Sequence, residues 1–332
     1  MAGMSPDGNV TLERIREAYA PLKAVARRTP LLTSRTLDDM AGGPVHLKAE
    51  NLQKTGSFKI RGAYTALSRL PAAEREKGVV TASAGNHAQG IALAAQLTGI
   101  RARVFMPVGA SIAKILATRG YGAEVQLAGG SFDEAVAAAQ ELAQKTGAPF
   151  ISAFDHDDII AGQGSVGLEL LEDLPDLDTV LIPVGGGGLI SGMAIALKES
   201  RPSLRVIGVQ AEGCPAAVDS WRAGSVVPAT HARTIADGIA VKKPSPRTLH
   251  YLRRYVRLFT AVEDRPGGLA RLLRMIAEAQ GNIIDVIHNR TSTTVPIGMT
   301  GVEILIETRD PAHIEALISC LKSASYPVHV IP

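Results

Sequence analysis

The sequence predicts an α/β fold built on doubly wound parallel sheets and followed by a smaller βαββαβ unit. Three observations carry this. From residue 62 to residue 211, short apolar runs alternate with amphipathic ones, and Gly or Pro stands at most of the joins. That rhythm of strand and helix yields parallel strands joined by helical crossovers. The composition agrees, because 33 glycines, 46% hydrophobic residues and only 4% aromatics among 332 residues suit an Ala, Val, Leu and Ile core with many tight strand-to-helix turns. Beyond residue 256 the rhythm changes.

Taken in order, residues 11–27 place Leu12, Ile15, Ala18, Tyr19, Leu22 and Val25 at helical spacing, with Thr11 as the N-cap. An extended stretch after Pro30 leads to a strand over 44–50, then a polar loop and a helix that begins near Lys59. Strands follow over 78–82, 103–106 and 123–127, alternating with helices over 86–97, 111–119 and 131–146. A buried strand over 178–184 passes straight into four glycines and a helix over 189–198, and another strand spans 205–211. One short helix is expected over 246–255. Residues 257–331 then read as strand 258–262, helix 267–279, strands 282–288 and 302–307, helix 311–323 and strand 328–331. These 75 residues suffice for a small core of their own, so the expected domains are 1–256 and 257–332.

Charge and cysteine usage exclude several classes. Thirty-five basic and 32 acidic residues give a net charge of +3. The basic ones are scattered, so no nucleic-acid surface is expected. Cys214 and Cys320 stand far apart, with neither metal-ligand nor disulfide-framework spacing. No apolar run approaches the roughly 20 residues that span a bilayer, and the first ten residues lack a basic stretch followed by an apolar one. A soluble protein of the reduced cytoplasm is the expectation, with no metal site.

Three segments carry candidate chemistry. The first is Lys48–Ala63, in which Gly56, Ser57 and Phe58 lead into Lys59 at a helix start. A lysine held there and partly desolvated is pushed toward the neutral, nucleophilic amine that Schiff-base chemistry requires, although any helix start can carry a surface lysine. The second is Ser83-Ala84-Gly85-Asn86-His87, between a strand and a helix. Free N–H groups at such a turn seat a carboxylate or phosphate; equally, Ser83 or Asn86 could simply cap the helix. In the third, Gly185, Gly186, Gly187 and Gly188 precede Leu189. The run matches neither a Walker loop nor the dinucleotide fingerprint, so it suits a phosphate monoester, with a plain tight turn as the alternative.

In this order and with these residue types, the three segments resemble the signature of the threonine/serine dehydratase and serine racemase family of fold-type II, tryptophan-synthase-β-like enzymes dependent on pyridoxal 5'-phosphate (PLP). The resemblance covers residues 11–241. It implies that Lys59 holds PLP as a Schiff base, beside Phe58, and that Asn86 hydrogen-bonds the ring hydroxyl. Gly185 to Leu189 would seat the phosphate, and Gly238 would lie near the ring face. Ser83, Ala84, Gly85, Asn86 and His87 would grip the carboxylate of an amino-acid substrate. The implied reaction is dehydration and deamination of L-threonine to 2-oxobutyrate and ammonia, or of L-serine to pyruvate, with Lys59 taking the α-proton. The implied assembly is a homodimer or tetramer. Ala84 stands where racemases of the family carry a second serine, which favours elimination, and Gln210 replaces an acidic residue of their divalent-metal site.

Residues 257–332 resemble an ACT regulatory domain. By that resemblance Asp264, Pro266, Gly267 and Leu269 form its first strand-to-helix turn and Asn282 and Ile283 open its second strand, where an amino-acid effector such as isoleucine or valine would bind, the alternative being a dimerisation domain without a ligand. In one respect the chain departs from the family. Only 15 residues, Lys242 to Val256, separate Val241 from the ACT-like part, where roughly 80 to 90 more are expected, a fair fraction of a domain. A Ser/Cys-Gly-Gly-Asn turn that meets the pyridine nitrogen in the family falls in that gap.

Overall fold

The structure is a computed structural model, and it describes residues 10–232, 234, 236–256, 282–289, 301–307, 310–323 and 328. Helix α1 (Leu12–Val25) starts at Thr11, whose side chain accepts from the Arg14 N–H as expected of an N-cap. Strands β1 (Leu31–Thr33) and β2 (His46–Lys48) pair antiparallel around α2 (Arg35–Ala41). Two 3-10 turns, Glu50–Leu52 and Lys54–Gly56, then lead into α3 (Lys59–Ser68), followed by α4 (Ala72–Lys77).

The first parallel sheet has the order β3 (Val79–Ala82), β4 (Ala102–Met106), β5 (Glu124–Leu127), with Val80 bridging to Phe150 on the far side of β3. Its crossovers are α5 (Asn86–Thr98) and α6 (Ile112–Gly120), and α7 (Phe132–Thr146) follows β5. After α8 (Asp157–Asp173), a second parallel pair, β6 (Thr179–Pro183) and β7 (Arg205–Val209), encloses α9 (Gly188–Ser200). Helices α10 (Ala216–Ala223) and α11 (Pro246–Tyr255) complete this part, the latter through a capping box between Ser245 and Thr248. Farther on, β8 (Asn282–Asn289) and β9 (Gly301–Glu307) pair antiparallel, and α12 (Pro311–Ser323) follows.

Two apolar cores sit on either side of α8. One gathers Ile60, Leu67, Ile91, Val104, Met106 and Ile115 around the first sheet, and the other gathers Val180, Ile182, Ile190, Met193, Val206 and Leu252 around the second. Helix α8 is buried at every position from Ile159 to Leu170. It lies against α3 and α9 at glycine contacts: a Cβ on Gly162 would stand 2.5 Å from the Arg61 carbonyl oxygen, and one on Gly192 would collide with that of Ile160. Only residues without a side chain permit that approach.

The expected alternation over 59–211 is present, with ends displaced by one or two residues. Four helices, α2, α4, α8 and α10, were not among the expected elements. In the C-terminal part, the strands at 282 and 302 and the helix at 311 are where the pattern put them. The strand expected at 258–262 and the helix at 267–279 lie outside the described residues, as does 328–331 apart from Val328. Among the described residues, no helix is long and apolar enough to cross a membrane, and no group of His, Cys, Asp or Glu is placed to hold a metal.

Candidate active site

Lys59 is the first residue of α3. The loop before it turns through two left-handed residues, Thr55 (φ 63°) and Gly56 (φ 70°). The lysine is half-buried, and its Nζ donates to the Ala153 carbonyl at 3.0 Å, with the Phe58 ring centre 5.1 Å away. Burial of the amine lowers its pKa to about 8. A carbonyl acceptor favours the charged amine, but desolvation outweighs it here. At neutral pH a useful fraction of Lys59 is therefore the free-base nucleophile.

The second segment joins β3 to α5. Ser83 Oγ accepts from the Gly85 N–H at 3.2 Å, and the Ser83 N–H is taken by the Phe105 carbonyl. The N–H groups of Ala84, Asn86 and His87 meet no acceptor among the described residues, as the open end of a helix provides. Asn86 is exposed. His87 is buried, and its Nε2 lies 3.2 Å from the Ile151 carbonyl, which can only accept, so the proton sits on Nε2. Burial, reinforced by the nearby Lys59 charge, lowers the His87 pKa to about 3. Its Nδ1 is left as a buried acceptor with no partner among the described residues.

In the third segment, each glycine has a neighbour where a side chain would stand. A Cβ on Gly185 would be 3.0 Å from Ile239 Cα, one on Gly186 would enter the Phe154 ring, and one on Gly188 would be 3.0 Å from Phe154 Cβ. Gly187 adopts φ 90° and would place a Cβ 2.9 Å from Thr248. The glycines are thus required by protein packing. What remains open is the N–H side: those of Gly185, Gly186 and Gly187 have no acceptor among the described residues, and they sit at the N-terminus of α9, with Leu189 half-buried in its first turn.

The three segments meet on one that no motif reading singled out, residues 151–154. The Ile151 carbonyl accepts from Thr81 Oγ1 at 2.7 Å and faces His87, the Ala153 carbonyl holds Lys59, and Phe154 packs on the glycine turn. It acts through backbone carbonyls, which any residue type supplies; only Phe154 could have hinted at it. Gly238 is exposed in a 3-10 turn, Asp237–Ile239, whose Ile239 touches Gly185. Asp237 also pairs with Lys114 of α6 at 2.8 Å, tying this turn to the first sheet's helices. Of the expected regulatory residues, Asn282 and Ile283 open β8 opposite Glu307 and Ile306, whereas Asp264, Pro266, Gly267 and Leu269 lie outside the described residues.

The donor set fits PLP. Free N–H groups at a helix N-terminus suit its phosphate, and a buried lysine of lowered pKa suits its aldehyde. Both stand on consecutive residues, Phe154 and Ala153.

Comparison with known proteins agrees. The model of the pyridoxal-phosphate dependent enzyme family matches residues 22–286, and that of the ACT domain matches residues 256–325. An L-threonine ammonia-lyase of Thermotoga maritima is 40% identical, over 97% of this chain and 100% of that protein. One of Geobacter sulfurreducens is 38% identical over 96% and 98%. Among solved structures, threonine deaminase isoform 2 of Solanum lycopersicum is similar with a TM-score of 0.72 at 31% identity, covering 95% of each chain. Maize serine racemase gives 0.73 at 35%, covering 81% of this chain and 83% of that one. The alignment with the Thermotoga protein runs over 399 positions, so at least 67 of them face gaps in the 332 residues of this chain. With four-fifths of its length inside the family model and whole-length relatives at 40% identity, the chain belongs to the pyridoxal-phosphate dependent enzymes, as a PLP-dependent lyase carrying a C-terminal ACT domain.

Proposed function

We propose that the chain dehydrates and deaminates L-threonine to 2-oxobutyrate and ammonia, and L-serine to pyruvate. The observation that carries this is the Lys59 amine, at a pKa of about 8 and one residue along the 151–154 segment from the packing of the glycine turn. When bound, the cofactor supplies the electron sink for cleavage at the substrate α-carbon. Gly185 to Leu189 would hold its phosphate, the N–H groups of Gly185, Gly186 and Gly187 being open to it, and Asn86, at the exposed start of α5, would meet its ring hydroxyl. Phe58 and Gly238 would lie beside its ring. Lys59 would hold the cofactor's aldehyde through Nζ and would take the substrate α-proton at the same atom. The substrate carboxylate is oriented by the N–H groups of the turn from Ser83 to His87, among them those of Ala84, Asn86 and His87.

A second reading, serine dehydratase or racemase, draws on the similarity to maize serine racemase. Ala84 weighs against racemisation, because it has no hydroxyl with which to return a proton to the opposite face. A catalytically impaired binding protein is the third reading, and it rests on the 67 or more missing positions. In our reading the catalytic part spans 1–256 and lacks its end, the ACT part spans 257–332 and takes an amino-acid effector through Asp264 to Leu269, Asn282 and Ile283, and the assembly is a homo-oligomer of the cytoplasm.

The test is to add PLP to the purified chain, reduce with borohydride and map the modified peptide. A single adduct on Lys59, absent from Lys59→Ala, is expected, followed by release of 2-oxobutyrate from threonine. A folded chain with no adduct would overturn the lyase assignment in favour of the binding protein. For the effector, thermal unfolding with millimolar isoleucine or valine should shift upward; no shift in either removes them.

A further inference from the structure

The first turn of α3 is held on three sides. On one, α5 comes so close that a Cβ on Gly90 would be 3.1 Å from Lys59 C and Cβ. On another, Gly162 of α8 sits against the Arg61 carbonyl and Gly62. On the third, Arg61, fully buried and two residues after Lys59, spreads its guanidinium between two carboxylates. It donates to Glu50 at 2.9 and 2.8 Å and to Glu169 at 2.7 and 3.0 Å, and it reaches Ser165 Oγ at 3.2 Å and the Arg27 carbonyl at 3.3 Å. Each carboxylate has a further donor: Thr29 on Glu50, and Lys48 on Glu169 at 2.8 Å. Burial opposes the Arg61 charge, but the hydrogen bonds to Glu50 and Glu169 prevail and keep it protonated.

A buried cluster of this kind contributes little net stability compared with apolar residues of the same size. What it does fix is geometry, since a planar fork bound bidentately on two sides has one orientation. We propose that Arg61 is a positioning residue, whose clamp between Glu50 and Glu169 sets the depth at which Lys59 presents its amine. The inference rests on the reading of Lys59 as the PLP lysine, but its geometry is a property of the chain without cofactor. The titratable groups facing this turn are His87 from α5, which is neutral, Glu50 from the 3-10 turn and Glu169 from α8.

The test uses reductive methylation of the full chain without PLP, from about pH 6 to about pH 11, with Lys59 quantified by peptide mass spectrometry. In the wild type, Lys59 should react with a midpoint near 8. In Arg61→Lys, and in Glu50→Gln should the first variant fail to fold, the midpoint should rise by about one unit, a roughly tenfold slower reaction below it. Arg69→Lys is the control. It sits at the far end of α3, paired with Asp158 at 2.8 Å, so it loosens the same helix and should leave the midpoint alone. A midpoint unmoved by Arg61→Lys and Glu50→Gln, moved equally by Arg69→Lys, or undepressed in the wild type overturns the proposal. A depressed wild-type midpoint without a PLP adduct would instead overturn the reading of the site and leave the clamp standing.

Discussion

Lys59 stores a cost that its chemistry uses. Its amine titrates near 8 in the folded chain and near 10.5 when exposed. Between those values the unfolded chain binds a proton that the folded one does not, so stability rises with pH across that window, and the full penalty is present below pH 8. Lys59→Met should therefore raise the melting temperature at pH 7, with the gain shrinking as pH rises past 8; a constant difference across the window would contradict the buried amine. Thr55 carries strain of another kind, a β-branched residue at φ 63° whose buried hydroxyl has no partner among the described residues. Thr55→Gly should stabilise the chain by about 1 kcal/mol in denaturant titration, strain relief exceeding the entropy that glycine loses. At this scale the sequence was most readable. Lys59, the turn from Ser83 to His87 and the glycine run announce themselves by residue type. The Ala153 carbonyl does not, because backbone acceptors leave no mark on composition, and the Glu50–Arg61–Glu169 clamp spans positions too distant to connect without the fold.

Helix packing explains the rest of the site and the largest omission from the sequence reading. Helix α8 shows no amphipathic stripe because it is buried on all sides from Ile159 to Leu170, including the polar Gln163 and Glu169, with Gly162, Gly164 and Gly167 where neighbours press closest. A helix buried all round lacks the period by which helices are recognised, whereas α1, exposed on one face, shows it plainly. Those glycines are the basis of a prediction. In Gly192→Ala the new methyl would meet the backbone of Ile160 and Gly164, which cannot rotate away, so α8 and α9 must part. A loss of about 1–3 kcal/mol is expected for overpacking of this kind, read by chemical denaturation. Gly90→Ala is milder in contact, at 3.1 Å, but it presses on Lys59 itself. It should reduce the yield of PLP adduct more than it reduces stability.

Among the described residues, the second sheet has one covered face and one open one. Val180 and Ile182 of β6 and Val206 of β7 are buried against α9 and α11, while Leu181, between them, is 65% exposed. The parallel register sets Leu181 beside Ile207 and Pro183 beside Val209, so these residues share the uncovered face. A parallel pair is ordinarily buried on both faces, and the alignment with the Thermotoga protein has at least 67 positions that face gaps in this chain. Exposed apolar sheet next to unpaired strand edges promotes association between copies. Leu181→Lys puts a charge at the centre of that face without touching Lys59 or the glycine turn. It should therefore lower concentration-dependent association in sedimentation velocity while leaving the melting temperature and the Lys59 adduct as they are. If association were unchanged, the face would not be the contact surface; if the melting temperature fell, Leu181 would be a buried residue of the folded chain.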